Sequence, residues 1–153
     1  MPRKFLVVVD DSPEFEAALR YASRRARSTG GRVVMLRVIP SGSDEHWSGV
    51  REEIQRQQRA EAEALLNTLG AEAGERSGAQ PIFVIEEGDP QAAIRKVVGE
   101  DLDIKILVLA SGGGLAGPLV SAILKQGAAF AGRKLPVTIV PGELTDSEIE
   151  DLA

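Results

Sequence analysis

The sequence predicts a three-layer α/β fold in which helices cover both faces of a five-stranded parallel sheet. Three observations favour this class. Short apolar segments alternate with longer amphipathic ones in the order βαβαβαβαβ. The first of them, Phe5–Val9, is a continuous apolar run, which is typical of a strand buried on both faces. Glycine and proline residues mark most borders between the segments.

The first third of the chain predicts a strand, a helix and a second strand. The first strand covers Lys4–Asp10, after which Ser12 suits the N-cap of a helix and Pro13 its first position. Apolar residues then recur at helical spacing until Gly30, which ends the helix. The second strand covers Arg32–Ile39.

The middle of the chain predicts a long helix over Val50–Ala73, a third strand over Pro81–Glu86 and a third helix. Asp89 is the expected N-cap of the third helix and Pro90 its first residue. One apolar stripe is expected on the long helix, formed by Ile54, Ala62, Leu65, Leu69 and Ala73.

The last third predicts two more strands. Ile104–Ala110 is the fourth strand and leads into a glycine-rich loop, Ser111–Gly117. Pro118 opens a fourth helix, and Pro136–Val140 is the fifth strand. These elements complete one domain over residues 1–141.

A tail over residues 142–153 follows that domain. Thr145 and Glu148 have the spacing of a capping box, which predicts a short terminal helix. Because the tail is rich in acidic residues, this helix is expected to be solvated.

The composition excludes several classes of protein. A chain of 153 residues with 43% apolar and 27% charged residues fits one soluble globular domain. A net charge of −5 gives no attraction to nucleic acid or anionic lipid. Without cysteine, and with His46 as the one histidine, thiolate and multi-histidine metal sites are excluded. The N-terminal apolar run is too short for a signal peptide or a membrane span, so a cytoplasmic location is expected.

The predicted topology implies a binding cleft. Right-handed crossovers place the ends of strands one and four at the same edge of the sheet, where open α/β sheets bind ligands. Asp10 would therefore face the Ser111–Gly117 loop across a cleft.

An acidic pair after the first strand, Asp10 and Asp11, resembles the Mg²⁺ site of receiver domains. Receivers also require a third carboxylate as phospho-acceptor after strand three, a hydroxyl after strand four and a lysine after strand five. The third strand ends instead in Glu86 and Glu87, and no lysine ends the fifth. Only Ser111 matches, so a receiver domain stays a remote alternative.

Five stretches in order carry a second resemblance that covers nearly the whole chain. They are Leu6–Ser12 with Ala17–Ala22, Val34–Ile39, Glu86–Pro90 with Ile94, Leu107–Ser111 and Leu135–Val140. Together with the long second helix, they resemble the universal stress protein family. The resemblance implies a Rossmann-like fold of the adenine-nucleotide-hydrolase-like type with strand order 3-2-1-4-5. It also implies a stress-response module that is not an enzyme.

Many members of that family bind ATP or AMP and pair as homodimers through the last strand. The edge strand Val137, Thr138, Ile139 and Val140 would form the dimer interface. The nucleotide-binding candidates are Asp10, Val38, Ser111, Gly112, Gly113, Gly114, Gly117 and Gly127. Among them, Asp10 would contact the adenosine end and Val38 would line the adenine pocket.

The phosphate motif of nucleotide-binding members is incomplete in either of two registers. In one register, Gly114 and Gly117 are followed nine residues later by Gly127, but the next residue is Ala128 instead of Ser or Thr. In the other, anchored on the fourth strand with Gly113 as the second glycine, Ile123 and Leu124 occupy the Gly-Ser/Thr step.

Asp11, where the family prefers glycine, would repel phosphate. The leading hypothesis is therefore a homodimeric module with a degenerate nucleotide cleft. An ATP- or AMP-dependent switch is the alternative.

Overall fold

The structure, a computed structural model, describes residues 3–10, 12–41, 48–111, 120–123, 125, 129–130 and 132–153. The elements follow in the order β1 (Lys4–Val9), α1 (Glu14–Thr29), β2 (Arg32–Ile39), α2 (Ser48–Ser77), β3 (Ile82–Glu87), α3 (Pro90–Glu100), β4 (Ile104–Ser111), β5 (Ala129–Phe130), β6 (Arg133–Lys134), β7 (Val137–Pro141) and α4 (Asp146–Leu152). Residues 120–123 are also helical.

The main sheet has five parallel strands in the order β3-β2-β1-β4-β7. This confirms the predicted fold and strand order, with β7 as the fifth strand. The two-residue strands β5 and β6 form a separate antiparallel ribbon that the sequence did not indicate.

Two apolar cores lie on opposite faces of the sheet. Phe5, Val7 and Val9 of β1 belong to the core that α1, α2 and α4 cover. The alternate residues Leu6 and Val8 belong to the core under α3 and residues 120–123. A strand of period two that is covered on both sides needs apolar residues at every position, which explains the continuous run in β1.

The start of α1 differs from the prediction. Pro13 occupies the N-cap position and no side chain caps the helix. The Ser12 hydroxyl donates to the Asp10 carboxylate instead of accepting from the helix. The prediction fails here because a nearby carboxylate competes for the serine. At α3 no such competitor intervenes, and Asp89 accepts from the Ala92 amide at 2.9 Å as predicted.

The buried stripe of α2 also differs from the prediction. Ala62, Leu66 and Ala73 are its buried apolar residues, so Leu66 was missed, while Ile54 is 48% exposed. A helix of 30 residues spans about 45 Å. The eight-residue strand β2 beneath it spans only about 26 Å. The first turns of α2 therefore have little of the sheet to cover.

The terminal helix α4 is packed on the domain. Its predicted capping box is present between Thr145 and Glu148. Ile149 is 1% exposed and belongs to the core beneath α1, so the expectation of a solvated helix is wrong on that face. The chain reaches α1 through Gly142, where a Cβ atom would lie 2.6 Å from the Cβ and 3.1 Å from the Cα of Glu14.

Candidate functional site

The strand order creates a crevice between β1 and β4. The helix after β1 covers one face of the sheet, and helical residues 120–123 after β4 cover the other. In such sheets the point where the strand order reverses is where ligands bind, outside the carboxyl ends of the strands. Val7 pairs with Val108. Continuing that register by three residues on each strand brings Asp10 opposite Ser111.

Asp10 is held rigidly at this point. Its side chain is buried, and its Oδ1 atom accepts from the Ser12 amide at 2.8 Å and from the Ser12 hydroxyl. The residue thus forms a turn of the kind that Asp favours after a strand. Both bonds fall on Oδ1, so Oδ2 has no hydrogen-bond partner among the described residues.

Ser111 closes β4 instead of opening the loop, contrary to the prediction. It is half-buried and pairs with Pro141 of β7. The remaining phosphate-end candidates, together with Asp11 and Ala128, lie outside the described residues. These candidates are Gly112, Gly113, Gly114, Gly117 and Gly127.

A cleft of about 320 Å³ lies at the carboxyl end of β2, beside α2. The predicted residue Val38 lines it, together with Arg37, Pro40 and Gln58. The Oε1 atom of Gln58 is buried without a hydrogen-bond partner in the described part of the chain. The cleft therefore combines an apolar wall with an acceptor that a ligand amine could satisfy.

Arg37 is a site residue that the sequence reasoning missed. It pairs with Val9 in the sheet, and its Nη1 atom donates to the Val9 carbonyl at 3.3 Å. This contact joins the cleft at β2 to the crevice beside Asp10. The available signal was a cation inside the strand, where every other residue from position 33 to position 39 is apolar.

The acidic end of β3 is occupied by ion pairs. Lys96 of α3 donates to Glu86 at 2.8 Å, and Arg59 of α2 lies 3.5 Å from Glu87. The hydrogen bond from Lys96 to Glu86, helped by the charge of that carboxylate, raises the pKa of Lys96. These carboxylates therefore tie helices to the sheet edge.

The sheet topology excludes the receiver alternative. In receivers the strand order is 2-1-3-4-5, which places strand three beside strand one. Here β3 is an edge strand and β2 separates it from β1. The carboxylates after β3 are thus not adjacent to Asp10. No group of three metal-binding side chains was found among the described residues.

The predicted dimer strand lies at the opposite edge of the sheet, as β7. Val137 and Thr138 are half-buried, Ile139 is 40% exposed and Val140 is buried. None of the described helices combines the length and the apolar character needed to cross a membrane.

Comparisons with known proteins agree with this geometry. The chain resembles the solved structure of the universal stress protein UspA from Lactobacillus plantarum, with a TM-score of 0.72 and 18% identity over 91% of this chain and 96% of the other. A universal stress protein from Archaeoglobus fulgidus in complex with dAMP gives 0.65 and 18%, over 90% and 97%. A universal stress protein in complex with cAMP gives 0.64 and 17%, over 93% and 98%.

At these identities the structural likeness shows the fold alone. No curated protein matches the sequence significantly. The model of the universal stress protein family, however, matches residues 1–140, which is most of the chain. The chain therefore belongs to the universal stress protein family.

Proposed function

We propose that this protein is a non-enzymatic, cytoplasmic stress-response module whose crevice binds the nucleoside end of an adenine nucleotide. The observation that carries the proposal is the buried Asp10 carboxylate just beyond β1, at the reversal of strand order, whose Oδ1 is bonded to Ser12 and whose Oδ2 has no partner among the described residues. A carboxylate oriented in this way can accept hydrogen bonds from a ribose or a base.

The cleft beside Arg37 supports an adenine ligand. Val38 offers an apolar surface, and the buried Oε1 atom of Gln58 is an acceptor for an amino group. Similar structures hold dAMP and cAMP, which are both monophosphates.

The sequence at the phosphate end supports a short phosphate chain. Ala128 lacks the hydroxyl that would donate to phosphate, and Asp11 brings a negative charge at a position where the family prefers glycine. We therefore expect AMP to bind at least as tightly as ATP.

The absence of catalysis is proposed on the chemistry of the crevice. Among the described residues there, Asp10 is the one candidate base, and it already accepts from Ser12. Cysteine is absent from the chain. Although the Ser12 hydroxyl donates to the Asp10 carboxylate, no third side chain orients that carboxylate as a base among the described residues, so no activated nucleophile is expected.

Calorimetric titration with AMP, ADP and ATP tests the ligand. Asp10→Asn keeps the shape of the side chain and removes its charge. It should weaken AMP binding about tenfold, since hydrogen bonds to charged groups are the stronger class. Asp103→Asn, just before the start of β4 and so at the amino ends of the strands, is the control and should bind AMP normally.

Three outcomes would count against parts of the proposal. The absence of saturable binding by all three nucleotides would remove the ligand. ATP binding at least about tenfold tighter than AMP would favour the second candidate, an ATP-dependent switch. Phosphate release from ATP that Asp10→Asn abolishes would overturn the non-enzymatic role.

We also propose a homodimer through β7. This strand pairs with β4 on one side and ends the sheet on the other. An unpaired edge with apolar side chains favours addition of a second strand.

Light scattering at tens of micromolar should give a dimer mass. Ile139→Lys should give a monomer, because a charge at an edge opposes strand pairing. Leu102→Lys changes an equally apolar residue that is 64% exposed outside β7, and this variant should remain dimeric. A monomeric parent protein would overturn the proposal.

A further inference from the structure

A basic cleft lies among α1, α2 and α4, away from the nucleotide crevice. Its volume is about 360 Å³, and Arg24, Arg27, Arg76 and Glu150 line it. Arg27 is thirteen residues beyond the start of α1 at Glu14, or about 20 Å along the helix from the Asp10 end. Glu150 pairs with Arg24, and Glu72 and Asp146 beside the cleft pair with Arg76. Arg27 therefore leaves a surplus positive charge on the cleft wall.

The one carboxylate that lines the cleft, Glu150, belongs to the terminal helix α4. Arg20 Nη1 lies 3.3 Å from Asp146, and Arg24 Nε lies 2.8 Å from Glu150. Ser28 then donates to the Ala153 carbonyl at 3.2 Å. The contacting residues thus recur about every four residues along α1 and at a similar spacing along α4. The two helices run side by side in the same direction, which places Glu150 over the arginines.

The arginines keep unused donors. A guanidinium carries five N–H groups. Arg24 uses Nε for Glu150 and Nη1 for Ser28. Arg76 directs Nε to Glu72 at 3.0 Å, and its Nη2 lies 3.9 Å from Asp146, which leaves Nη1 without a partner among the described residues. Arg27 is exposed and makes no hydrogen bond or ion pair with any described residue.

We propose that this cleft binds a small multivalent phosphate anion in competition with the Glu150 carboxylate. Guanidinium groups match phosphate oxygens with paired N–H donors and hold them more strongly than neutral groups do. The Arg24 to Glu150 contact shows that an oxyanion already fits here. About 360 Å³ of space lies open beside that carboxylate. Binding would replace the contact through which α4 holds Arg24, so the anion would loosen the terminal helix.

Calorimetric titration of the full chain with inorganic pyrophosphate at constant ionic strength tests the site. Arg27→Ala is the decisive variant, because this side chain makes no hydrogen bond or ion pair with the described residues that the substitution would remove. It should weaken binding about tenfold. Arg25→Ala removes an exposed arginine of the same helix that does not line the cleft, and it should bind normally. Glu150→Gln removes the competitor and should tighten binding about threefold.

The same series can overturn the proposal. No saturable heat, or an equal loss in Arg25→Ala and Arg27→Ala, would show that no specific site exists there. Displacement of pyrophosphate by AMP in a competition titration would place the anion in the nucleotide crevice. Weaker binding by Glu150→Gln would show that the carboxylate supports the site and does not compete for it.

Discussion

The ammonium group of Lys4 lies 2.7 Å from the carboxylate of Asp101 and joins the start of β1 to the loop before β4. Partial burial alone would raise the pKa of Asp101. The hydrogen bonds from Lys4 and from the Asp103 amide, with the charges of Lys4 and Arg133, outweigh burial and hold this pKa below its ordinary value of 3.8.

The lowered pKa of Asp101 predicts a defined pH dependence. The contact stabilises the folded state at pH above 3.8, and this contribution is lost as pH falls through the folded-state pKa. We expect Lys4→Met to reduce the free energy of unfolding by about 1 kcal/mol at pH 7. Urea titrations at pH 7 and below pH 3 should show this difference shrinking. Lys105→Met removes an exposed lysine on β4 and is the control. This variant should have the same free energy of unfolding as the parent protein at both pH values.

Arg133 is expected to be a major support of the turn between α3 and β4. Its guanidinium donates to the carbonyls of Val98 at 2.8 Å and of Ile104 at 2.5 Å, and more distantly to those of Asp101 and Leu102. Arg133→Ala should lower the free energy of unfolding by about 2 kcal/mol, since it removes a charged donor from part-buried carbonyls.

Denaturant unfolding measures this loss, with Lys134→Ala as the control at an exposed neighbour. A loss equal to that of the control would show that water replaces the guanidinium.

Two glycines of α2 should respond oppositely to alanine. A Cβ atom at Gly70 would overlap the ring of Phe83, whereas at Gly74 its nearest neighbour is Pro81 at 3.4 Å, an ordinary contact. Gly74→Ala should raise the free energy of unfolding by about 0.5 to 1 kcal/mol, because alanine favours helix. Gly70→Ala should lower it by about 1 to 3 kcal/mol through overpacking.

The double variant Gly70→Ala with Phe83→Leu tests the cause of this difference. If the ring is responsible, the combined loss is smaller than the sum of the single losses. Simple additivity in thermal or chemical unfolding would contradict the assigned contact.

The docking of the terminal helix α4 on the domain should depend on Ile149. This residue is 1% exposed, whereas Leu152 on the same helix is 58% exposed. Ile149→Ala should cost about 2 to 4 kcal/mol of α4 docking. Leu152→Ala should cost less than about 0.5 kcal/mol. Hydrogen exchange of the α4 amides would detect the change, and equal exchange in both variants would contradict the packing.

The sequence predicted the sheet well because its strands are covered on both faces. A run such as Phe5–Val9 admits one interpretation, and parallel strands with helical crossovers restrict the topology. The N-cap at Asp89 was predictable because it is a local contact within one turn.

The errors have long-range causes. Burial of Leu66 in place of Ile54 depends on where α2 crosses the sheet, which its own periodicity does not reveal. Arg37 in the site and Ile149 in the core both depend on contacts between distant segments. The acidic residues of the tail suggested that its helix would be exposed to solvent. Ile149, an apolar residue among them, instead packs in the core and sets the position of the helix.

Because Gly142 passes close to Glu14, the residue type at position 142 can be used to classify related sequences. One added carbon there would require a shift of Glu14 or of the chain that leads to the seven-residue helix α4, because the near atoms include the Cβ and Cα of Glu14. Related sequences with a larger residue at the position of Gly142 are expected to place their terminal segment away from α1. Among related sequences, the residue type at this one position should therefore distinguish chains whose terminal helix packs on α1 from chains in which it does not.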